Sequence, residues 1–126
     1  RRHGHRNAAA WGKRAEWVDY YGPDASGGTV GIAMFDHPDN LRFPTHWHAR
    51  TYGLLAANRF GAQKFESNAP PGDYTIPAGE SLELRHRFYF HHGHPKTAKV
   101  AEHYRLYTQA LAAQGEFAGE VTDSSV

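Results

Sequence analysis

Two imidazoles flank a single indole in His46-Trp47-His48, and Arg50 and Tyr52 continue the same every-other-residue spacing. On a β-strand, side chains two apart share a face. His46, His48, Arg50 and Tyr52 are therefore expected on one side, with Trp47, Ala49 and Thr51 on the other. Two imidazoles so placed can ligate one metal ion, zinc by preference, if a third ligand comes from elsewhere. Asp36, His86, His91 and His94 are the candidates for that third position. The competing reading makes His46 and His48 ordinary hydrogen-bonded residues of a polar strand face.

Asp36-His37-Pro38-Asp39-Asn40 places three oxygen-bearing side chains in five residues. Hard oxygen donors in a short loop suit calcium, although the spacing is not that of an EF-hand. Asx residues beside a proline are also ordinary turn formers. An Asp36–His37 or Asp36–His48 pair would make a general base if the fold brings the two side chains together. A sugar or lactone ring can stack on Trp47 while Arg50, Tyr52 or Asn58 bonds its oxygens. Strand alternation works against that arrangement, because Trp47 then faces away from Arg50; the alternative puts Trp47 in the core and Arg50 in an ion pair.

These groups together predict a small hydrolase. Water activated by a metal or a histidine attacks an ester, lactone or glycosidic centre, and Arg50 holds the developing oxyanion. Asp36, His37, His48 and Arg50 are the expected catalytic residues, Trp47, Tyr52 and Asn58 the expected substrate contacts, and His46, His48 and Asp36 the expected metal ligands. The alternative is a non-catalytic carbohydrate-binding module, or part of a larger enzyme. His91-His92-Gly93-His94 reads more simply as a polar turn, and Ser26, Ser67 and Ser81 sit in turn contexts. Nucleophile-elbow, phosphate-loop and dinucleotide motifs are absent.

Composition narrows the classes further. A formal net charge of +1 over 126 residues gives no basic field for nucleic acid. The lack of cysteine removes disulfides, thiolate ligands and a cysteine nucleophile. No apolar run approaches the roughly 18 residues of a membrane span, and the basic start Arg1-Arg2-His3-Gly4-His5-Arg6 has no apolar stretch after it to make a secretory signal. The compartment stays unassigned, and a small-molecule or carbohydrate substrate is the expected partner.

The elements that must position these residues read as strands. Trp11–Tyr21 is expected as a first strand and Thr29–Phe35 as a buried second, joined by the turn signal Gly22–Gly28. Thr45–Leu55 is expected as one strand, 58–71 as a loop, and Tyr74-Thr75-Ile76 as a short strand. Ser81–Phe90 alternates cleanly: Leu82, Leu84, His86, Phe88 and Phe90 face one way, expected to be the core, and Glu83, Arg85, Arg87 and Tyr89 the other. Pro95 opens a helix expected to run to residue 113, with Gly115 after its end. The expected fold is an antiparallel β-sandwich with one C-terminal helix, a single domain at 11–114 between an arm (1–10) and a tail (115–126).

The ordered segments Trp11–Tyr20, Gly31–Asn40, Pro44–Leu54, Ala57–Gly61 and Ile76–Leu82 resemble the C-terminal portion of the PmoA-like family, bacterial domains of unknown function. The resemblance spans roughly residues 7–110 and singles out His48 within its motif, with Arg59 standing where the family usually has proline. The turn Pro77–Ser81 is similar to turns of mutarotase-like sandwiches. Members are typically more than twice this length, so the resemblance implies a C-terminal piece. Such a piece is expected to expose surface that pairs it into a homodimer or larger assembly.

Overall fold

Alternation in three strands organises the molecule, because each strand must serve two different faces. The computed structural model describes residues 14–50, 53–66 and 68–115, so the expected arm and most of the expected tail fall outside the described residues. The strands are β1 (Trp17–Pro23), β2 (Thr29–Asp36), β3 (His46–Arg50), β4 (Leu54–Asn58) and β5 (His86–His92). Among the described residues two helices are present, α1 (Ala62–Phe65) and α2 (Val100–Ala113).

A three-stranded antiparallel sheet runs β1-β2-β5, and β3 and β4 form a separate two-stranded sheet. The register aligns Trp17 with Phe35 and Arg87, Val18 with Met34 and Phe88, and Tyr20 with Ile32 and Phe90. Trp17, Ala33 and Phe35 point to one face, where they pack with Val100, Tyr104, Tyr107 and Leu111 of α2. Val18 and Met34 point to the other face and meet Trp47, Ala49, Leu55 and Ala57 of the β3–β4 hairpin. The protein is thus mainly β, a small sandwich of two antiparallel sheets with one C-terminal helix on its outer side, as the sequence predicts.

Several boundaries differ from the sequence reading. The long strand expected at 45–55 is two strands, because Gly53 takes φ +102 and its N–H returns to the Arg50 carbonyl (3.3 Å), turning the chain. Only the end of the strand expected at 81–90 is paired, and 74–76 is not a strand. The helix begins five residues later than expected, since Pro95–Lys99 forms turns and Lys99 adopts a left-handed conformation at the N-cap.

The face assignment of β5 is also reversed. Phe88 and Phe90, expected in the core, are 52% and 70% exposed. Tyr89 packs on the helix cluster instead and donates its hydroxyl to the Ala98 carbonyl (3.1 Å), and the Arg87 guanidinium lies 4.4 Å from the Tyr107 ring centre. Among the described residues no helix is long and apolar enough to cross a membrane.

Candidate functional site

The end of β2 delivers Asp36 into the interior, where its carboxylate is fully buried. A buried carboxylate needs partners for both oxygens. Its Oδ1 accepts from Asn40 Nδ2 (2.7 Å) and Arg59 Nη2 (2.6 Å), and its Oδ2 from the Thr45 N–H (3.1 Å). His86 Nε2 lies 3.4 Å from Oδ1 and 3.3 Å from Arg59 Nη2. Asn40 also exchanges two hydrogen bonds with the backbone of Arg85, tying the β2–β3 corner to the segment entering β5. The Tyr104 hydroxyl donates to the Asp36 carbonyl (3.1 Å). Burial pushes that phenol well above its ordinary pKa, with the Glu16 and Asp36 carboxylates adding to the shift. Burial draws the Arg59 guanidinium below its usual value, and Asp36 opposes this.

His37 lies beside this corner at 1% exposure. Its Nδ1 accepts the Asp39 N–H (3.0 Å), which places the ring proton on Nε2 in the neutral form, and Nε2 has no hydrogen-bond partner among the described residues. Its ring meets the edge of Tyr107. Asp36 and His37 are therefore sealed under the corner rather than presented to a substrate. The loop oxygens of Asp36 and Asn40 are turned toward each other, toward Arg59 and toward Arg85, an arrangement that ties down a corner and does not converge on a calcium ion.

The second polar group lies on the outer side of the β3–β4 hairpin. Trp47 and Ala49 are buried against the three-stranded sheet, and the Trp47 Nε1–H donates to the Ala15 carbonyl (2.9 Å). At 0% exposure Trp47 is a core residue and no ring stacks on it from outside. Alternation then puts His46, His48 and Arg50 on the opposite face. Across the ladder they stand against Asn58, Ala56 and Leu54 respectively. The small Ala56 side chain opposite His48 keeps the centre of this face low.

His46 Nε2 donates to Glu66 Oε1 at 2.7 Å, joining a nearly buried imidazole to a carboxylate that is largely exposed. Glu66 is positioned by the single turn of α1, its N–H returning to the Ala62 carbonyl (2.8 Å). The path from β4 to α1 is tight: Asn58 Oδ1 accepts the Phe60 N–H (3.1 Å), and a Cβ on Gly61 would stand 2.6 Å from Asn58 Nδ2. His48 is half-buried. Burial first, and then the neighbouring Arg50 cation, hold its pKa below the ordinary histidine value, so it is a neutral base at pH 7.

Four of the sequence-derived residues thus come together on one surface: His46, His48, Arg50 and Asn58. Asp36, His37 and Trp47 are buried in the interior instead. Tyr52 falls outside the described residues. The three histidines considered as further ligands are elsewhere: His86 beside Asp36, His91 against Asp19 (2.7 Å), and His94 sharing a hydrogen bond with the Tyr21 hydroxyl (3.2 Å). Among the described residues no group of three or more His, Asp or Glu side chains is arranged to hold a metal ion. Sequence reasoning missed Glu66, which is twenty residues from His46 and reaches it only through the turn at Asn58–Gly61 and the short α1.

No curated protein and no solved structure matches the chain. The model of a family of unknown function (DUF6807) matches residues 1–105, and the chain belongs to that family.

Proposed function

We propose that this member of the DUF6807 family uses the outer face of the β3–β4 hairpin to take a hydroxyl-rich, carbohydrate-like molecule. His48 acts there as the base that activates water. The observation that carries this reading is the placement of a neutral imidazole, a cation and an amide on one strand face, with a carboxylate-held imidazole beside them. Water gives a proton to His48 as its oxygen attacks an ester, lactone or glycosidic carbon. Arg50 bonds the oxygen on which negative charge develops. His48 then returns the proton to the departing oxygen. Glu66 fixes the tautomer of His46, and Asn58 offers both a donor and an acceptor to sugar hydroxyls.

The burial of Asp36 and His37 favours the histidine-assisted form of the sequence reading over the metal-assisted and carboxylate-assisted forms. The same burial favours a second reading, a carbohydrate-binding module without turnover, because it takes one carboxylate and one imidazole away from the face. The likeness of the sequence motifs to the PmoA-like domains belongs to this proposal and adds no chemistry of its own.

The test is turnover of an aldonolactone and of nitrophenyl esters and glycosides, run beside ligand-observed magnetic resonance with a panel of monosaccharides. Under the hydrolytic reading His48→Ala lowers kcat/KM by roughly 10²–10⁴-fold and Arg50→Ala by roughly 10²–10³-fold. Sugar binding that both substitutions abolish, without turnover, establishes the module. Neither turnover nor binding refutes both.

A further inference from the structure

Phe60 and Tyr74 are kept at the surface, 42% and 45% exposed, with their ring centres 6.2 Å apart. Arg42 holds both. It donates to the carbonyls of Arg59 (3.0 Å) and Asp73 (3.0 Å), the residues immediately before the two rings, and to that of Gly72 (2.8 Å). Its guanidinium carbon stands 5.7 Å from the centre of the Phe60 ring and 5.8 Å from that of Tyr74. A Cβ on Gly72 would collide with the Phe60 carbonyl oxygen, so the two segments pass in contact only because residue 72 has no side chain. Fixing rings that stay wet in this way adds little hydrophobic stability. It does preorganise a platform. The platform adjoins the hairpin face through Asn58, which stands across from His46 and accepts the Phe60 N–H on Oδ1 (3.1 Å).

We propose that Phe60 and Tyr74 form a second sugar subsite, so that the molecule taken by the hairpin face is a disaccharide or a longer chain and not a single ring. The inference rests on the carbohydrate reading of that face. Three features select a pyranose ring as the occupant. The C–H bonds on one side of such a ring are slightly positive and suit the negative faces of aromatic rings. Its rim of hydroxyls needs both donors and acceptors, which the Asn58 amide and the Tyr74 hydroxyl supply beside the platform. The two rings are tilted by 36° to each other, so they do not make a flat slot for a planar base. A ligand centred on His48 reaches the platform by crossing the His48–Ala56 row and then the His46–Asn58 row. Rows on one strand face recur about every 7 Å, and Phe60 lies up to about 7 Å of chain beyond Asn58. The path from His48 to the platform is therefore longer than one sugar ring.

Ligand-observed magnetic resonance on the full chain tests this with matched probes. These are the methyl glycosides of glucose, galactose, mannose and xylose, 1,4-linked disaccharides of the same sugars, and adenosine. A disaccharide is expected to bind roughly tenfold more tightly than the methyl glycoside of its own sugar. Phe60→Leu and Tyr74→Leu keep apolar bulk without a ring face, and each is expected to remove that advantage while leaving the affinity for the methyl glycoside unchanged. Tyr74→Phe keeps the ring and keeps the advantage. Both rings are largely exposed, so the melting temperature of all three variants stays at that of the parent. Equal affinity for the disaccharides and their methyl glycosides overturns the subsite and leaves the reading of the hairpin face standing. So does a disaccharide advantage that both leucine variants retain, or adenosine that displaces the sugars. Binding by no sugar overturns the reading of the hairpin face and the subsite with it.

Discussion

Gly31→Ala is the most informative single change, because the middle strand has kept that position empty for a side chain of its neighbour. His91 of β5 lies across β2 and reaches Asp19 of β1, with Nε2 donating to Oδ1 at 2.7 Å and both side chains 3% exposed or less. A Cβ on residue 31 would stand 2.5 Å from both Cε1 and Nε2 of His91, and 3.0 Å from the Tyr21 Cβ. The imidazole must move by about 1 Å to restore an ordinary contact, which takes it out of reach of Asp19. Breaking a buried hydrogen bond to a carboxylate costs about 1.5–3 kcal/mol. Alanine in a strand recovers about 0.5–1 kcal/mol relative to glycine. The net expected loss is about 1–2 kcal/mol, a fall in Tm of roughly 4–10 °C for a domain of this size. Urea unfolding at pH 7 measures it. The double variant Gly31→Ala/His91→Ala separates the collision from other effects: with the ring gone, adding the methyl costs little. The variants should therefore be non-additive by about 1 kcal/mol. A Gly31→Ala protein within about 0.5 kcal/mol of the parent, or costs that simply add, would falsify the account.

Two further outcomes are expected. Asp36→Ala leaves the Arg59 guanidinium buried without its carboxylate and costs about 3–5 kcal/mol in urea unfolding; unchanged stability with lost turnover would restore Asp36 to the chemistry. His48, held low by burial and then by Arg50, stays neutral below the usual value of about 6.5, so the acid limb of kcat/KM should lie below that pH and move upward in Arg50→Ala. The sign for stability follows: unfolding lets His48 bind protons that the folded chain refuses, so its contribution is present above about pH 6.5 and is lost below it. An acid limb above the usual value, or one indifferent to Arg50, contradicts the assignment of His48 as base.

Period-two patterning was enough to predict an antiparallel sandwich, the helix and the common face of His46, His48 and Arg50, because alternation is a local property. It did not tell which face of β5 is covered. Leu82, Leu84, His86, Phe88 and Phe90 look like the core side by hydrophobicity, yet α2 lies over Arg87 and Tyr89. Aromatic tyrosines with hydroxyls that find carbonyl acceptors, as Tyr89 and Tyr104 do, are as good a core as phenylalanine. The break at Gly53 was also hidden, since both halves of 45–55 carry strand-compatible residues and only the positive φ divides them. The Asp36 corner was hidden for a different reason. Asn40 and Arg85 meet across forty-five residues of sequence and Asp36 and Arg59 across twenty-three, and no local spacing reports that Arg59 is buried with Asp36.

The two outward faces of this small sandwich differ in kind. β3 turns the half-buried His48 and Arg50 away from its core beside a buried His46 held by Glu66, which is how a strand treats a face that reaches water. β5 turns Phe88 and Phe90 to the face on which Asp36 of β2 is the one paired carboxylate, fully buried at its covered end. Scattered exposed apolar residues are ordinary on a soluble surface, but these are joined in register across three strands into one patch. The hairpin site titrates, so its ligand binding and turnover change with pH.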